Sequence, residues 1–431
     1  MLGTIALDII AALRRGTVPA TGLHEFVVGL DLERHVIGEE LDHVATGRGA
    51  LKCIRGDYGA GKSFLSHYAM QLAADKGFVV SFVTISVDTP LHKLEVVYRD
   101  LAANLRIAGQ QAALKGLVDR WIYRIEEKLI DVEGLGEDDP ALKARTREQI
   151  EQALGKVPGL PSAFVAAVSG YHAAQYDGDF ATANGLLGWL AGETTTGASI
   201  KRQAGLTGTV DATMSLSFVR GIAELARLSG SAGLMVAFDE TETVQRLAGP
   251  HREKSLNNLR QIVDDCDAGG FPYCYFLFTG TPDFFEGQKG VRSLQPLYDR
   301  LRITGDAEHP NPRQVQIVLP KFDRDRLIQV GQKVRGIFAA AYPDKPLDPQ
   351  RTGDDLIEAM ADRITKKLGG RVDVVPRIFL RELVDVLDRV QQHSDYDPRD
   401  QYDLNIESVP DLTPQEQEAA GGGFEEAPLV E

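Results

Sequence analysis

Apolar residues in this chain follow two rhythms. Five short runs are nearly continuous in large, β-branched or aromatic residues: 51–54 (LKCI), 78–85 (FVVSFVTI), 234–238 (LMVAF), 273–278 (YCYFLF) and 315–319 (VQIVL). Such runs predict strands buried on both faces, as in a parallel sheet. Between them, apolar residues recur at helical spacing. Strands separated by helices predict an α/β fold, a parallel sheet covered by helices on both faces.

The same patterning divides the chain. Residues 1–49 read as a helical lead-in: 5–15 is apolar-periodic, Gly16, Thr17, Val18 and Pro19 break it, and 32–44 is a second amphipathic segment. Residues 50–318 form the strand-and-helix core. Within it, 107–206 is a detour between the second and third strands. Leu114, Leu117, Trp121, Ile125 and Leu129 keep a helical spacing there, so the insertion reads as mostly helical, with its aromatics as core. Residues 319–395 read as a helical domain, broken near 343–349 and at Gly369 and Gly370. The remainder, 396–431, is acidic, rich in Pro and Gly, and predicts disorder.

Composition narrows the class. A hydrophobic content of 43% with 25% charged residues suits a soluble globular chain of 431 residues. The net charge of −15 argues against a protein that coats nucleic acid over its whole surface. A local basic cluster at Arg363, Lys366, Lys367 and Arg371 reads either as a contact for a phosphate backbone or as a solvated helix face. No apolar run approaches the ~20 residues of a membrane span, and the N-terminus reads as lacking a secretory signal. Cys53, Cys266 and Cys274 show no metal-binding spacing and suit a reducing compartment. The expectation is a cytoplasmic protein without a membrane partner.

The main chemical signal is GDYGAGKS at 56–63, a complete GxxxxGK[ST] loop between a strand and a helical pattern that starts at Phe64. Gly56, Gly59 and Gly61 let the backbone of the loop, with Asp57, Tyr58 and Ala60, turn its N–H groups inward around phosphate oxygens. The helix that follows directs its positive end at the same anion. Lys62 would reach the β- and γ-phosphates, and the Ser63 hydroxyl would enter the Mg²⁺ shell. The chain is expected to bind a nucleoside triphosphate.

A second signal is GLMVAFDE at 233–240, an apolar strand ending in two acids whose side chains point to different sides. Asp239 would hold Mg²⁺ and Glu240 would polarise the attacking water. Glu242 either shares the site or is surface. At the end of the next run, Thr279 or Thr281 would orient that water, or is an ordinary strand-to-turn threonine. Arg300 or Arg302, in YDRLR at 298–302, would reach a γ-phosphate across a subunit interface, or forms a surface salt bridge. Arg377, after Pro376 in the first turn of a helix, would project toward a nucleotide held between domains, or into solvent.

Taken in order, GDYGAGKS, VAFDE, FTGT, YDRL and VPR resemble the motif series of AAA+ ATPases of the origin-recognition and initiator branch. The chain is more closely similar to the P-loop ATP-binding proteins of BREX-type bacteriophage-defence loci (BrxD-like). That similarity is carried by LRRGTVP at 13–19, FVVG at 26–29, KCIRGDYGAGKSF at 52–64, GLMVAFDETE at 233–242 and VVPRIFLRELVDVLD at 374–388. The resemblance implies a P-loop NTPase (AAA+) core with a helical lid, ATP and Mg²⁺ as cofactors, and Val28 and Gly29 near the adenine. Arg300 and Arg377 match the arginine-finger and second-sensor positions, and self-association follows from a finger in trans. Implied partners are a helicase, a methyltransferase or DNA, and the implied activity is ATP hydrolysis coupled to assembly or remodelling of a DNA-associated complex. A nucleotide-gated scaffold with little hydrolysis, or an origin- or transposition-type initiator, are the alternatives. Two features depart from the initiator pattern: few residues follow Val390 for a winged helix, and FTGT lacks the common sensor asparagine.

Overall fold

The structure, a computed structural model, describes residues 2–107, 113–136, 139–304, 310–320, 322–367 and 375–402. The chain divides into two compact units. One comprises residues 1–34, 54–69 and 318 onward; the other comprises 35–53 and 70–317.

The second unit is built on the sheet. Its strands are β1 (Ala50–Arg55), β2 (Val79–Thr84), β3 (Leu234–Asp239), β4 (Cys274–Gly280) and β5 (Gln316–Val318). The last residues of β1 and β5 are counted with the first unit. All five predicted runs are strands of one parallel sheet, in the order β2-β3-β4-β1-β5. Every residue of β3 and β4 is buried, which is why both read as unbroken apolar runs rather than alternating ones. Their register pairs Leu234 with Cys274 and Phe238 with Phe278. The last two rings stack with centroids 4.6 Å apart, holding the register one residue short of the acid pair. β2 pairs with the other side of β3, placing Thr84 beside Asp239.

Between β2 and β3 the chain forms helices Ala113–Glu133, Pro140–Gly155, Ser162–Tyr176, Phe180–Leu190, Ala198–Gln203 and Ala212–Leu228. Of their aromatics, Trp121, Phe164, Tyr171, Trp189 and Phe218 are core as expected, whereas Tyr123, Tyr176 and Phe180 are exposed on the outer faces of their helices. Phe218 is an edge-to-face hub for Tyr98, Phe164 and Trp189, with centroids 5.1–5.8 Å away. The polar ends of two of these rings are satisfied: the Trp189 indole donates to the Gly208 carbonyl at 3.1 Å and the Tyr98 hydroxyl to the Leu190 carbonyl at 2.6 Å.

The first unit contains a helical bundle. Helices Arg324–Ala341, Asp354–Lys367 and Val375–Gln392 pack on one another, and helix Leu2–Arg14 packs with them. The helix Val375–Gln392 buries Phe379, Leu383, Val384 and Leu387, an i, i+4, i+5, i+8 stripe. The N-terminal helix is tied to it by the Arg14 guanidinium, which grips Asp388 through Nε at 2.7 Å and Nη2 at 2.8 Å. The first helix of the lead-in and the C-terminal helices, far apart in sequence, therefore share a bundle, whereas residues 35–49 of the lead-in are counted with the second unit.

The segment that composition assigned to a disordered tail begins with placed structure. Arg351 donates to the Tyr396 carbonyl at 2.9 Å, helix Pro398–Gln401 follows, and Tyr402 is buried. The rest of that tail lies outside the described residues. Of the basic cluster, Arg363 donates to the Tyr402 carbonyl and lies over its ring. Arg371 and the side chains of Lys366 and Lys367 lie outside the described residues.

Candidate nucleotide site

The phosphate loop occupies 56–61, between β1 and helix Lys62–Asp75. Gly59 and Gly61 adopt φ of 81° and 95°, the left-handed region that costs a side chain about 1–2 kcal/mol. A Cβ at Gly61 would meet nothing within 4 Å, so its requirement is conformational rather than steric. Lys62 is 7% exposed. Its ammonium folds back over the loop to the carbonyls of Gly56 at 3.1 Å and Asp57 at 3.2 Å, and stands 4.9 Å from the centre of the Tyr58 ring. A buried ammonium held over a glycine turn at a helix N-terminus is a preformed anion cradle.

The same unit brings the FVVG segment to this helix. Phe26 meets Phe64 edge-on at 5.4 Å. Lys333 Nζ donates to the Val27 carbonyl at 2.8 Å. Gly29 has a φ of 68°, and a Cβ there would strike Arg326 Nε at 2.7 Å. Val28 is half-buried and Gly29 exposed. Arg377 is exposed at the start of its helix and donates through Nε to the Gly16 carbonyl at 2.7 Å. It thereby joins the LRRGTVP and VPR motifs in one contact.

The second unit carries the acids. Asp239 closes β3 and is buried; Glu240 is exposed and has φ 57°, ψ 36°. A glutamate in the left-handed region is strained by about 1–3 kcal/mol, and such residues persist where surrounding bonds over-determine them. Those bonds come from β4. The Thr279 hydroxyl donates to Asp239 Oδ1 at 2.5 Å and accepts from the Glu240 N–H at 3.1 Å. The Thr241 hydroxyl in turn donates to the Thr279 carbonyl. Thr279 is fully buried and thus locks the orientation of one acid and the backbone of the other.

The sequence reading missed the threonines that complete this lock. Thr241 and Thr243 flank Glu242 in the 3₁₀ turn Thr241–Arg246, and the Thr243 hydroxyl donates to the Ile85 carbonyl at the end of β2, at 3.2 Å. The alternation DETET was the available signal: small hydroxyls at every second position after a strand favour side-chain-to-backbone bonds. Glu242 is 4% exposed, so of the two readings offered for it, surface is excluded. Thr281 caps helix Pro282–Glu286 by accepting from the Phe284 N–H at 3.2 Å, an ordinary turn role. Arg300 is ion-paired with Asp264 and donates to the Pro296 carbonyl at 2.5 Å, whereas Arg302 is 55% exposed and 4.0 Å from Asp299.

A glycine-rich loop between a parallel strand and a helix, with acids closing another strand of the sheet, defines a P-loop nucleotide-binding protein of the α/β class. Residues 4–406 match the family model described as BREX system ATP-binding protein BrxC/D. The chain belongs to this family of ATP-binding proteins from a bacteriophage-defence system. No curated protein and no solved structure matches it. Among the described residues no helix is long and apolar enough to cross a membrane.

Proposed function

We propose that this protein hydrolyses ATP with Mg²⁺ and uses the turnover to assemble or remodel a DNA-associated defence complex. The observation that carries the hydrolytic part is the Thr279 clamp. It holds Asp239 by its carboxylate and Glu240 by its N–H, leaving the Glu240 carboxylate exposed at the carboxyl end of β3. Ligands of open parallel sheets bind outside the carboxyl ends of the strands, and the phosphate loop follows the carboxyl end of β1.

Among the described residues no group of three or more His, Cys, Asp or Glu is placed to hold a metal. That fits Mg²⁺, which in nucleotide sites takes one or two protein oxygens and completes its octahedron with phosphates and water. The hydroxyl of Ser63 and the carboxylate of Asp239 are hard oxygen donors of that kind. When bound, Mg²⁺ would neutralise charge on the phosphates.

The protein's own groups divide the remaining work. Loop N–H groups and Lys62 bind the β- and γ-phosphates, and Val28 and Gly29 line the adenine side. Glu240 accepts the proton of a water whose oxygen bonds to the γ-phosphorus as the bond to the β–γ bridging oxygen breaks, releasing ADP. Thr279 positions Glu240 rather than touching the water. Arg377 serves the nucleotide from the helical bundle. An arginine supplied by a second copy completes the site. Arg302 is better suited than Arg300 to that reach, because Arg300 already holds Asp264.

The test is ATP turnover by wild type and Glu240→Gln across a protein concentration series, with and without duplex DNA. The variant is expected to bind ATP and to lose about 10²–10⁴-fold in turnover. Wild-type turnover is expected to rise with concentration or DNA. Equal turnover in both proteins would refute the assignment of Glu240.

A further inference from the structure

A second cationic site is built where the loop after β2 meets the helix Gly249–Asp267. The His92 and His251 rings stack face to face, with centroids 4.3 Å apart and planes 2° from parallel. His92 is 7% exposed, and its Nδ1 is buried without a hydrogen-bond partner. His251 lies in the first turn of the helix and is exposed. The stack is held rigidly, since Asn258 of that helix donates to the Leu91 carbonyl at 2.8 Å.

The electrostatics of this helix start are unfavourable as they stand. Its N-cap, Ala248, supplies no side-chain bond, and the first turn contains no acid. Instead His251 and Arg252 stand in the first turn, at the positive end of the helix dipole, with Lys254 following and Glu253 between them. His92 feels Lys93 from its own loop and His251 and Lys254 from the helix; against them stands Glu95. Burial and these cations hold its pKa below the usual histidine value. In a chain of net charge −15, a stacked imidazole pair flanked by two exposed lysines at a bare helix N-terminus is arranged for an anion.

We propose that His92, Lys93, His251 and Lys254 form a binding surface for the phosphodiester backbone of a nucleic acid. Two lysines standing apart on a loop and a helix suit phosphates spaced along a strand, and the exposed His251 ring, backed by His92, offers its outer face to a base. One hydrogen bond lies on the path from this surface to the acid pair. The loop that carries His92 leaves β2, whose end is bonded to Thr243 in the turn that follows Glu240. A nucleic-acid ligand here deepens the DNA-associated role proposed above and is independent of hydrolysis.

The experiment is fluorescence anisotropy with a labelled DNA duplex and a labelled single strand, at low salt and without nucleotide. Wild type is compared with Lys93→Glu/Lys254→Glu and with His92→Phe, and binding of a fluorescent ATP analogue is measured in parallel. The double variant is expected to lose at least about tenfold in DNA affinity and to show a shallower salt dependence, with nucleotide affinity unchanged. Because the His92 proton is bound only below the usual histidine range, wild-type affinity is expected to change little from about pH 8 to about pH 6.5 and to rise severalfold below it, and His92→Phe to flatten that rise. Unchanged DNA affinity in the double variant would overturn the proposal. So would competition by inorganic phosphate at concentrations matching the DNA phosphates, which would make this a small-anion site. Loss of ATP-analogue binding in wild type would instead strike at the nucleotide site and leave the DNA result standing.

Discussion

The phosphate loop takes its shape from eight consecutive residues, whereas the acid pair takes its shape from two strands whose key residues lie 40 positions apart. In the loop, Gly59 and Gly61 make the positive-φ turns at almost no conformational cost, and Lys62 closes the cradle onto carbonyls five and six residues back. At the end of β3, a residue with a full side chain, Glu240, is forced into the same region of backbone space. The buried Thr279 hydroxyl accepts from the Glu240 N–H, the Thr243 N–H donates to the Glu240 carbonyl at 3.0 Å, and Thr241 braces Thr279 in turn. One half achieves its geometry by lacking side chains; the other stores strain and depends on neighbours for it.

The largest expected effect of breaking this contrast is the loss of turnover in Glu240→Gln, with ATP affinity kept. Lys62→Ala should do the reverse of that separation. Removing the buried ammonium is expected to weaken ATP binding by about 2–3 kcal/mol, roughly 30–150-fold, in a fluorescent-nucleotide titration. If both variants lost affinity equally, the division of labour between the halves would fail.

Thr279→Val tests the long-range clamp. It leaves a buried carboxylate and an N–H without their shared hydroxyl, so urea denaturation should show a loss of about 1–3 kcal/mol. Turnover should fall with it, while Thr279→Ser, which keeps the hydroxyl, recovers most of both. Equal losses in the two variants would make the threonine a packing residue only.

Glu240→Asn probes the strain itself. Asparagine tolerates the left-handed region better than glutamate, so the variant should be more stable by about 0.5–1 kcal/mol although inactive. A destabilised Glu240→Asn would mean that the glutamate side chain contributes more than its backbone costs.

The smallest effect concerns the thiol behind the phosphate loop and one on the helix beside β4. Burial pushes both Cys53, in β1, and Cys266 up to about 12. At about pH 8 neither should react with a thiol reagent in the folded protein, and both should react in urea, where thiols ionise near 8.5. Because the folded-state values are raised, this contribution to stability is complete below about pH 8.5 and is lost as pH rises above it. Rapid labelling of native protein would show that β1 opens.

Much of the fold and the nearer half of the site were legible in the chain. The five strands declared themselves because strands buried on both faces leave no room for polar residues, as β3 and β4 show at every position. The loop was legible because its requirements are local: glycines where φ must be positive, then a lysine at the helix start. Thr279 was readable only as a polar residue near a strand end. Its bonds to Asp239 and Glu240 follow from the pairing of β3 with β4, which no local pattern announces. The shared bundle of Leu2–Arg14 with the C-terminal helices was invisible for the same reason. An amphipathic stripe records that a face will be buried, not which face will bury it.

Residues adjacent in the chain were enough to read a parallel α/β sheet, a complete GxxxxGK[ST] loop at 56–63 and the likeness to BREX ATP-binding proteins. Those conclusions rest on adjacent residues whose backbone and burial demands are met locally. Tertiary structure alone decided that Glu240 is held strained by a threonine from another strand, that Arg377 reaches Gly16, and that His92 stacks on His251. Each of these contacts joins segments 39 to 361 residues apart, and the chain carries no local record of which distant partner folding will supply.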